Sequence, residues 1–164
     1  MSNNIETINQ YGKNYTLPPM FSRIGCRAII VANGKILLSH EVNTGVYLSP
    51  GGGLESGEAP EECVVREVRE ETGYVVRVLH PFVNVNEYFY DKVFVSNYFV
   101  CEIVGNVKQS LTETEILHGV EPEWIDFEKA LAVFAAYESI ADEELAAQYK
   151  REFTVLSEYK DMVK

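Results

Sequence analysis

Residues 51 to 74, GGGLESGEAPEECVVREVREETGY, constrain this chain more than any other stretch. A glycine-rich turn leads into a run in which Glu67, Glu70 and Glu71 stand three and four residues apart. In a helix turning about 100° per residue, these side chains fall within an arc of about 100°, so one face carries three negative charges. Like charges at that spacing destabilise a helix. A hard cation with oxygen ligands relieves the repulsion, and Mg²⁺, Mn²⁺ and Ca²⁺ suit such a donor set.

The same stretch carries its own boundary signals. Pro60 suits the first helical position and Gly73 the left-handed residue after the last turn, while Ala59 is a poor cap. Val64, Val65, Val68 and Thr72 cluster opposite Glu62, Arg66 and Arg69, which the helical wheel turns to solvent. The pattern predicts a helix over about residues 60–72, preceded by a loop.

Gly52, five residues, Glu58, seven residues, then Arg66-Glu67-Val68-Arg69-Glu70-Glu71-Thr72-Gly73-Tyr74 resembles the Nudix box, the signature of hydrolases of nucleoside diphosphates linked to another group. With each residue type used roughly once in fifteen, seven fixed letters match by chance at about one start in 10⁸. Tyr74 departs mildly from the aliphatic residue usual there, which bears on packing after the helix. A REVREE run alone reads as a solvated charged face. Attached to the glycine loop and to Glu58 at its spacing, it reads as a site.

The resemblance implies a metal-dependent pyrophosphohydrolase that uses activated water. Its substrate would be a nucleoside triphosphate, a dinucleoside polyphosphate or a nucleotide sugar. Glu67 and Glu71 are implied to bind Mg²⁺ (or Mn²⁺) directly and Glu70 directly or through water, with the Gly51 carbonyl as a further ligand. Glu58 and Arg66 are implied to pair as structural support. Glu67 is the candidate general base within the helix. Some family members use a glutamate from a later loop, for which Glu115 and Glu121 are the choices here, with Glu113 and Glu123 close behind.

Tyr47, Tyr88 and Tyr90 offer stacking faces for a nucleobase, although each also suits sheet packing. Nudix enzymes acting on dinucleoside polyphosphates often carry a tyrosine a short way beyond the box, a role open to Tyr88 or Tyr90. The alternative reading is a non-catalytic nucleotide-binding regulatory domain, but such domains usually lose box glutamates and none is lost here. An acidic Ca²⁺ module lacks the EF-hand loop it would need.

The implied fold is an α/β/α sandwich with a mixed β-sheet and a C-terminal helical extension. At 164 residues and 46% hydrophobic, the chain suits one domain with a sizeable core. The expected division is an N-terminal arm over residues 1–20, the Nudix domain over 21–139, and a helical segment over 140–164 packed on that domain, closing over the substrate or contributing to a homodimer.

A formal net charge of −11 opposes general binding to nucleic acid or to an anionic membrane. Three scattered cysteines form no CxxC pair and fit a reducing cytoplasm. No run reaches the length of a membrane helix and no signal peptide is evident. His40, His80 and His118 have no spacing suited to a metal or a nucleophile.

Asn33-Gly34 between apolar runs predicts a hairpin. Gly45 to Leu48 predicts the strand that delivers the chain to the glycine loop. Residues 74–79, 82–90 and 93–104 read as separate strands, 121–125 as a short strand, and Asp126 as the cap of a helix through Val133. From about Ile140 the chain is helical in period.

Overall fold

Asn33 and Gly34 both take positive φ, 53° and 74°, and this turn folds β3 (Val31–Ala32) back onto β4 (Lys35–Glu41). The computed structural model describes residues 4–164. β4 lies at the heart of a four-stranded sheet, flanked on one side by β3 and β5 (Val46–Leu48) and on the other by β9 (Val120–Asp126). A second sheet of five strands has the order β1-β7-β8-β2-β6. Its members are β1 (Glu6–Tyr11), β2 (Phe21–Ile29), β6 (Gly51–Gly53), β7 (Tyr74–Phe89) and β8 (Lys92–Asn106). It is mixed, because β1 and β2 run parallel to their neighbours β7 and β8 while β7–β8 and β2–β6 are antiparallel.

Two differences from the sequence reading concern the five-stranded sheet. The strands expected over 74–79 and 82–90 are one strand, β7, with register shifts at Val75/Val76, Val78/His80 and Pro81/Asn84. A bulged strand tolerates Pro81, which has no N–H to give the ladder, and bulges break the alternation that a regular strand would display. Within the expected N-terminal arm lies a strand that the sequence reading did not place. Residues 1–3 lie outside the described part, and from Glu6 to Tyr11 the chain pairs along β7 as an edge strand.

Helix α1 (Pro60–Thr72) begins with proline in its first turn and ends on Gly73, whose φ of 79° lets its N–H return to the Arg69 carbonyl. Its Val64 and Val68 pack on Cys26, Ala28, Val76 and Phe99 on one side of the sheets. Fully burying such a valine stabilises the fold by about 1.5–3 kcal/mol. On the other side, α3 (Phe127–Ala135) and α4 (Glu143–Met162) set Phe134, Val155 and Leu156 against Ile29, Val85 and Tyr98. The result is the α/β/α sandwich.

Asp126 caps α3 by accepting from the N–H groups of Glu128 and Lys129, and Asp142 caps α4 through Leu145 N–H. A short helix absent from the sequence reading, α2 (Glu113–His118), is held by a capping box between Thr112 and Glu115. No helix among the described residues is long and apolar enough to cross a membrane.

Candidate active site

Strand β6 consists of three glycines pressed between β2 and α1. A Cβ at Gly51 would stand 2.1 Å from the Cys26 carbonyl oxygen, and one at Gly52 would stand 2.4 Å from Glu67 Oε2. Only a chain without side chains can therefore lie flush against the Glu67 carboxylate. Cys63, beside this loop, is fully buried and donates to the Gly52 carbonyl at 3.7 Å. Burial pushes its thiol up, so it packs and does not react.

Arg66, which the helical wheel turns to solvent, instead folds back into the site with only 16% of its side chain exposed. Its Nε donates to Glu58 Oε1 at 2.6 Å and its Nη2 to Glu58 Oε2 at 3.0 Å. Nη2 also reaches the Gly53 carbonyl at 3.1 Å, which ties the loop to the helix. Nη1 lies 2.8 Å from Glu67 Oε1 and 3.2 Å from Glu70 Oε2. Hydrogen bonds from Arg66, and then from the Glu55 N–H, hold the Glu58 carboxyl down at about 2.

Glu71 is the deepest of the three acids, 8% exposed, and accepts from Ser39 Oγ and from Gly51 N–H. Burial pushes it up to about 7, against the pull of Ser39, Arg27 and the Gly51 N–H. Burial also raises Glu67, opposed by Arg66 and reinforced by Glu70 and Glu115. The charge of Glu115 disfavours ionisation of both Glu67 and Glu71, so α2 brings Glu115 within electrostatic reach of the acidic face of α1.

Glu121 is placed differently. Its register partner on β4 is His40, adjacent to Ser39, and Ser39 is the residue that reaches Glu71. Side chains alternate along a strand, so Glu121 faces away from the α1 glutamates. Glu123 shares that far face and sits 2.6 Å from His40 Nδ1. Of the later carboxylates, Glu115 alone carries a resolved charge effect on this cluster.

Among the described residues, no three acidic, histidine or cysteine side chains already converge at metal-ligand spacing. The positive charge between Glu67 and Glu70 belongs to Arg66. The donor set nevertheless fits a hard divalent cation. Glu67 and Glu71 are desolvated carboxylates with raised pKa values, and Glu67 and Glu70 already share a cation.

A cavity of about 170 Å³ opens between the five-stranded sheet and the start of α4, and Gly52 and Gly53 form part of its wall. The sheet supplies Arg23, Arg27, Glu87 and Phe94, and α4 supplies Gln148 and Arg151. Sequence reasoning missed these residues because they share no motif or spacing and come together only through the sheet order. The next residue of α4, Glu152, is fully buried and accepts from Ser49 N–H at 3.0 Å and Ser49 Oγ at 2.7 Å. The C-terminal helix thereby anchors the chain just ahead of the glycine loop.

The three candidate tyrosines part company. Tyr88 borders the cavity, its ring stacked on Tyr11 at 5.0 Å. Tyr47 lies outside it, packed flat on His40 at 4.0 Å with its N–H donating to Tyr149. Tyr90, at a positive φ of 53°, turns the chain between β7 and β8 and is 47% exposed. The histidines hold local partners, His118 with Glu41 and His80 with the Pro81 carbonyl.

Comparison with known proteins agrees with this architecture. The NUDIX domain profile matches residues 22–148. An ADP-ribose pyrophosphatase of Methanocaldococcus jannaschii is 34% identical over 93 residues, 48% of this chain and 55% of that protein, so the match spans little more than half of that relative. A MutT-like protein of Streptomyces ambofaciens is 29% identical over 73% of this chain and 76% of its own length. Among solved structures, the E. coli ORF135 protein superposes with a TM-score of 0.60 at 19% identity, covering 87% of this chain and 91% of its own. A MutT protein from Methanosarcina mazei gives 0.55 at 24% identity, over 84% of this chain and 98% of its own. A profile match over most of the chain, a shared fold and an acidic helix set against a glycine strand all point one way, and the chain belongs to the Nudix family of hydrolases.

Proposed function

We propose that the protein hydrolyses a phosphoanhydride bond in a nucleoside diphosphate linked to another group, using a divalent metal ion, Mg²⁺ or Mn²⁺. The observation that carries this reading is the position of Gly52, against the Glu67 carboxylate and in the wall of a cavity that also holds Arg23 and Arg27. The relative named as an ADP-ribose pyrophosphatase supports a nucleotide-linked substrate.

In this reading Glu67, Glu70 and Glu71 would hold the metal, with the Gly51 carbonyl as a further oxygen donor. A divalent ion in such a site neutralises phosphate charge and lowers the pKa of bound water. Glu67 would take the proton from the attacking water, as the helix glutamate that lies against Gly52. Glu115, on the rim formed by α2, is the reserve candidate for that role. Arg66 and Glu58 fix the loop so that these groups keep their spacing. Arg23 and Arg27, neither of them ion-paired among the described residues, attract and orient the phosphates. The phosphoanhydride would thus lie across Gly52 and Gly53, with the nucleoside on the cavity side.

We also assign residues 21–139 to the hydrolase domain and 140–164 to a helical extension that completes its substrate cavity. The three free, buried cysteines support a cytoplasmic setting. The test is a phosphate-release screen over nucleoside triphosphates, dinucleoside polyphosphates, ADP-ribose and nucleotide sugars with Mg²⁺ and with Mn²⁺. Metal-dependent release from at least one class supports the reading, and no release from any class with either ion overturns it.

A further inference from the structure

The segment between β1 and β2 wraps the tip of the β7–β8 hairpin. Gly12 N–H donates to the Tyr88 carbonyl at 2.8 Å, Thr16 N–H to the Tyr90 carbonyl at 2.7 Å, and the N–H groups of Met20 and Phe21 to the Asp91 carbonyl at 2.6 and 3.1 Å. These backbone bonds fix the path of the wrap, so the surface it presents belongs to the fold.

That surface is apolar. Tyr11, Tyr15, Leu17, Met20, Phe21 and Tyr90 are all exposed, Met20 by 79% and Phe21 by 61%. They gather at one end of the five-stranded sheet. The rings of Tyr11 and Tyr15 lie 4.8 Å apart, and Met20 and Phe21 are tied to the residue that follows Tyr90.

Side chains of this size offer roughly 200 Å² each when fully exposed, so the six together present about 700 Å². The largest apolar patch of a typical monomer is about 300–600 Å². A standard protein interface covers about 800 Å² on each partner, so this end of the sheet has the area that a stable dimer needs.

Charge selects the occupant. The chain holds 25 acidic residues, yet residues 11–24, YGKNYTLPPMFSRI, include none. Two copies of a chain of net charge −11 can therefore meet here without setting rows of carboxylates against each other. An anionic membrane would need an excess of positive charge, which the patch does not offer. Lys13 is paired with Glu143, Lys92 stands beside Asp91, and Arg23 lines the cavity. The C-terminal helix is spoken for, since Tyr149, Val155 and Leu156 of α4 are buried in the core of their own domain.

We infer that this end of the sheet docks a second copy of the chain about a two-fold axis, the wrapped hairpin tip of one copy against that of the other. Because both copies carry the same net charge, the contact tightens as salt screens their repulsion. Docking on a charged partner of opposite sign would weaken instead.

Sedimentation equilibrium of the full chain, at low and at high salt, tests the inference without reference to the proposed reaction. The parent is expected to move from the 18.6 kDa of one chain toward twice that mass as concentration rises to about 100 µM, and to do so at lower concentration in high salt. Met20→Asp sets two like charges into a symmetric contact, and Phe21→Ser removes apolar area without adding charge. Each is expected to weaken dimerisation at least about tenfold. Val104→Asp, at an exposed position on β8 far from the tip, is expected to leave it unchanged. Circular dichroism establishes that each variant is folded, and Met20 is exposed enough that its replacement spares the core.

A parent that stays monomeric at both salt concentrations would overturn the inference. So would parent-like dimerisation of folded Met20→Asp and Phe21→Ser, or an equal loss in Val104→Asp, which would move the contact to another face. Monomeric parent protein that binds phosphatidylserine vesicles, with Met20→Asp abolishing the binding, would give the patch to a membrane and overturn it as well.

Discussion

The guanidinium of Arg66 grips the carboxylate of Glu58 through two bonds, Nε to Oε1 at 2.6 Å and Nη2 to Oε2 at 3.0 Å. The same guanidinium also holds the Gly53 carbonyl, so one side chain joins the end of the loop, the glycine strand before it and α1. Glu58 is depressed to about 2 from an ordinary 4.5, so its contribution to stability is fully present above pH 4.5 and is lost as pH falls toward 2. Glu58→Gln should therefore melt below the parent at pH 7, and the gap should close between pH 4.5 and 2. Thermal melts across that window check it, and a gap that holds constant would contradict the pairing.

Arg66→Ala removes the bonds to Glu58, Glu67, Glu70 and Gly53 together. Its melting temperature should fall by about 4–8 °C, a net loss of about 2 kcal/mol at about 2–4 °C per kcal/mol for a chain of this size, because desolvation of the paired charges offsets much of what the bonds give. A melting temperature equal to the parent's would show that the loop holds its shape without the arginine.

Gly52→Ala separates the chemistry from the fold. The added methyl meets the carboxylate of Glu67 at 2.4 Å, and that is the flexible end of a side chain and can swing aside. Stability should change by less than about 1 kcal/mol while turnover falls at least about tenfold, because the displaced group is the one assigned to hold the metal and take the proton. Parent-like turnover in the folded variant would remove Glu67 from that role.

Glu152→Ala tests the link between the C-terminal helix and the glycine loop. It leaves Ser49 N–H and Ser49 Oγ without their acceptor and Arg151 with one carboxylate in place of two. Breaking a buried charge pair costs about 3–5 kcal/mol. Urea denaturation should report a loss of that size, and a loss below about 1 kcal/mol would mean that α4 does not anchor the loop.

Much of this arrangement was legible in the sequence, for physical reasons that differ from element to element. Pro60 and Gly73 bracket α1 to the residue because both act through local backbone geometry. Asn33-Gly34 marks its hairpin for the same reason. The capping box from Thr112 to Glu115 was also written in the chain, but a helix of six residues has too little periodicity to declare itself. β1 could not be read, because ETINQY is polar and gains its strand geometry only by pairing with β7, more than seventy residues away.

The candidate site divides along the same line. The acidic face of α1 follows from spacing within one helix. The turn of Glu121 away from it follows from the register of β9 on β4, and the gathering of Arg23, Arg27, Glu87 and Arg151 follows from the sheet order. Neither leaves a trace in local sequence. Arg66 was misplaced by the wheel because a long side chain follows its ion partners and not its Cα direction.

The central claim is that Glu67, Glu70 and Glu71 hold a divalent ion against the glycine strand. It is tested most directly by crystals grown with Mn²⁺ and a non-hydrolysable nucleotide analogue, measured at a wavelength where manganese scatters anomalously. The account predicts an anomalous peak with carboxylate oxygens of these glutamates about 2.0–2.3 Å away and an analogue phosphate on its open side. Glutamates left empty and turned apart, with the analogue bound elsewhere, would contradict it.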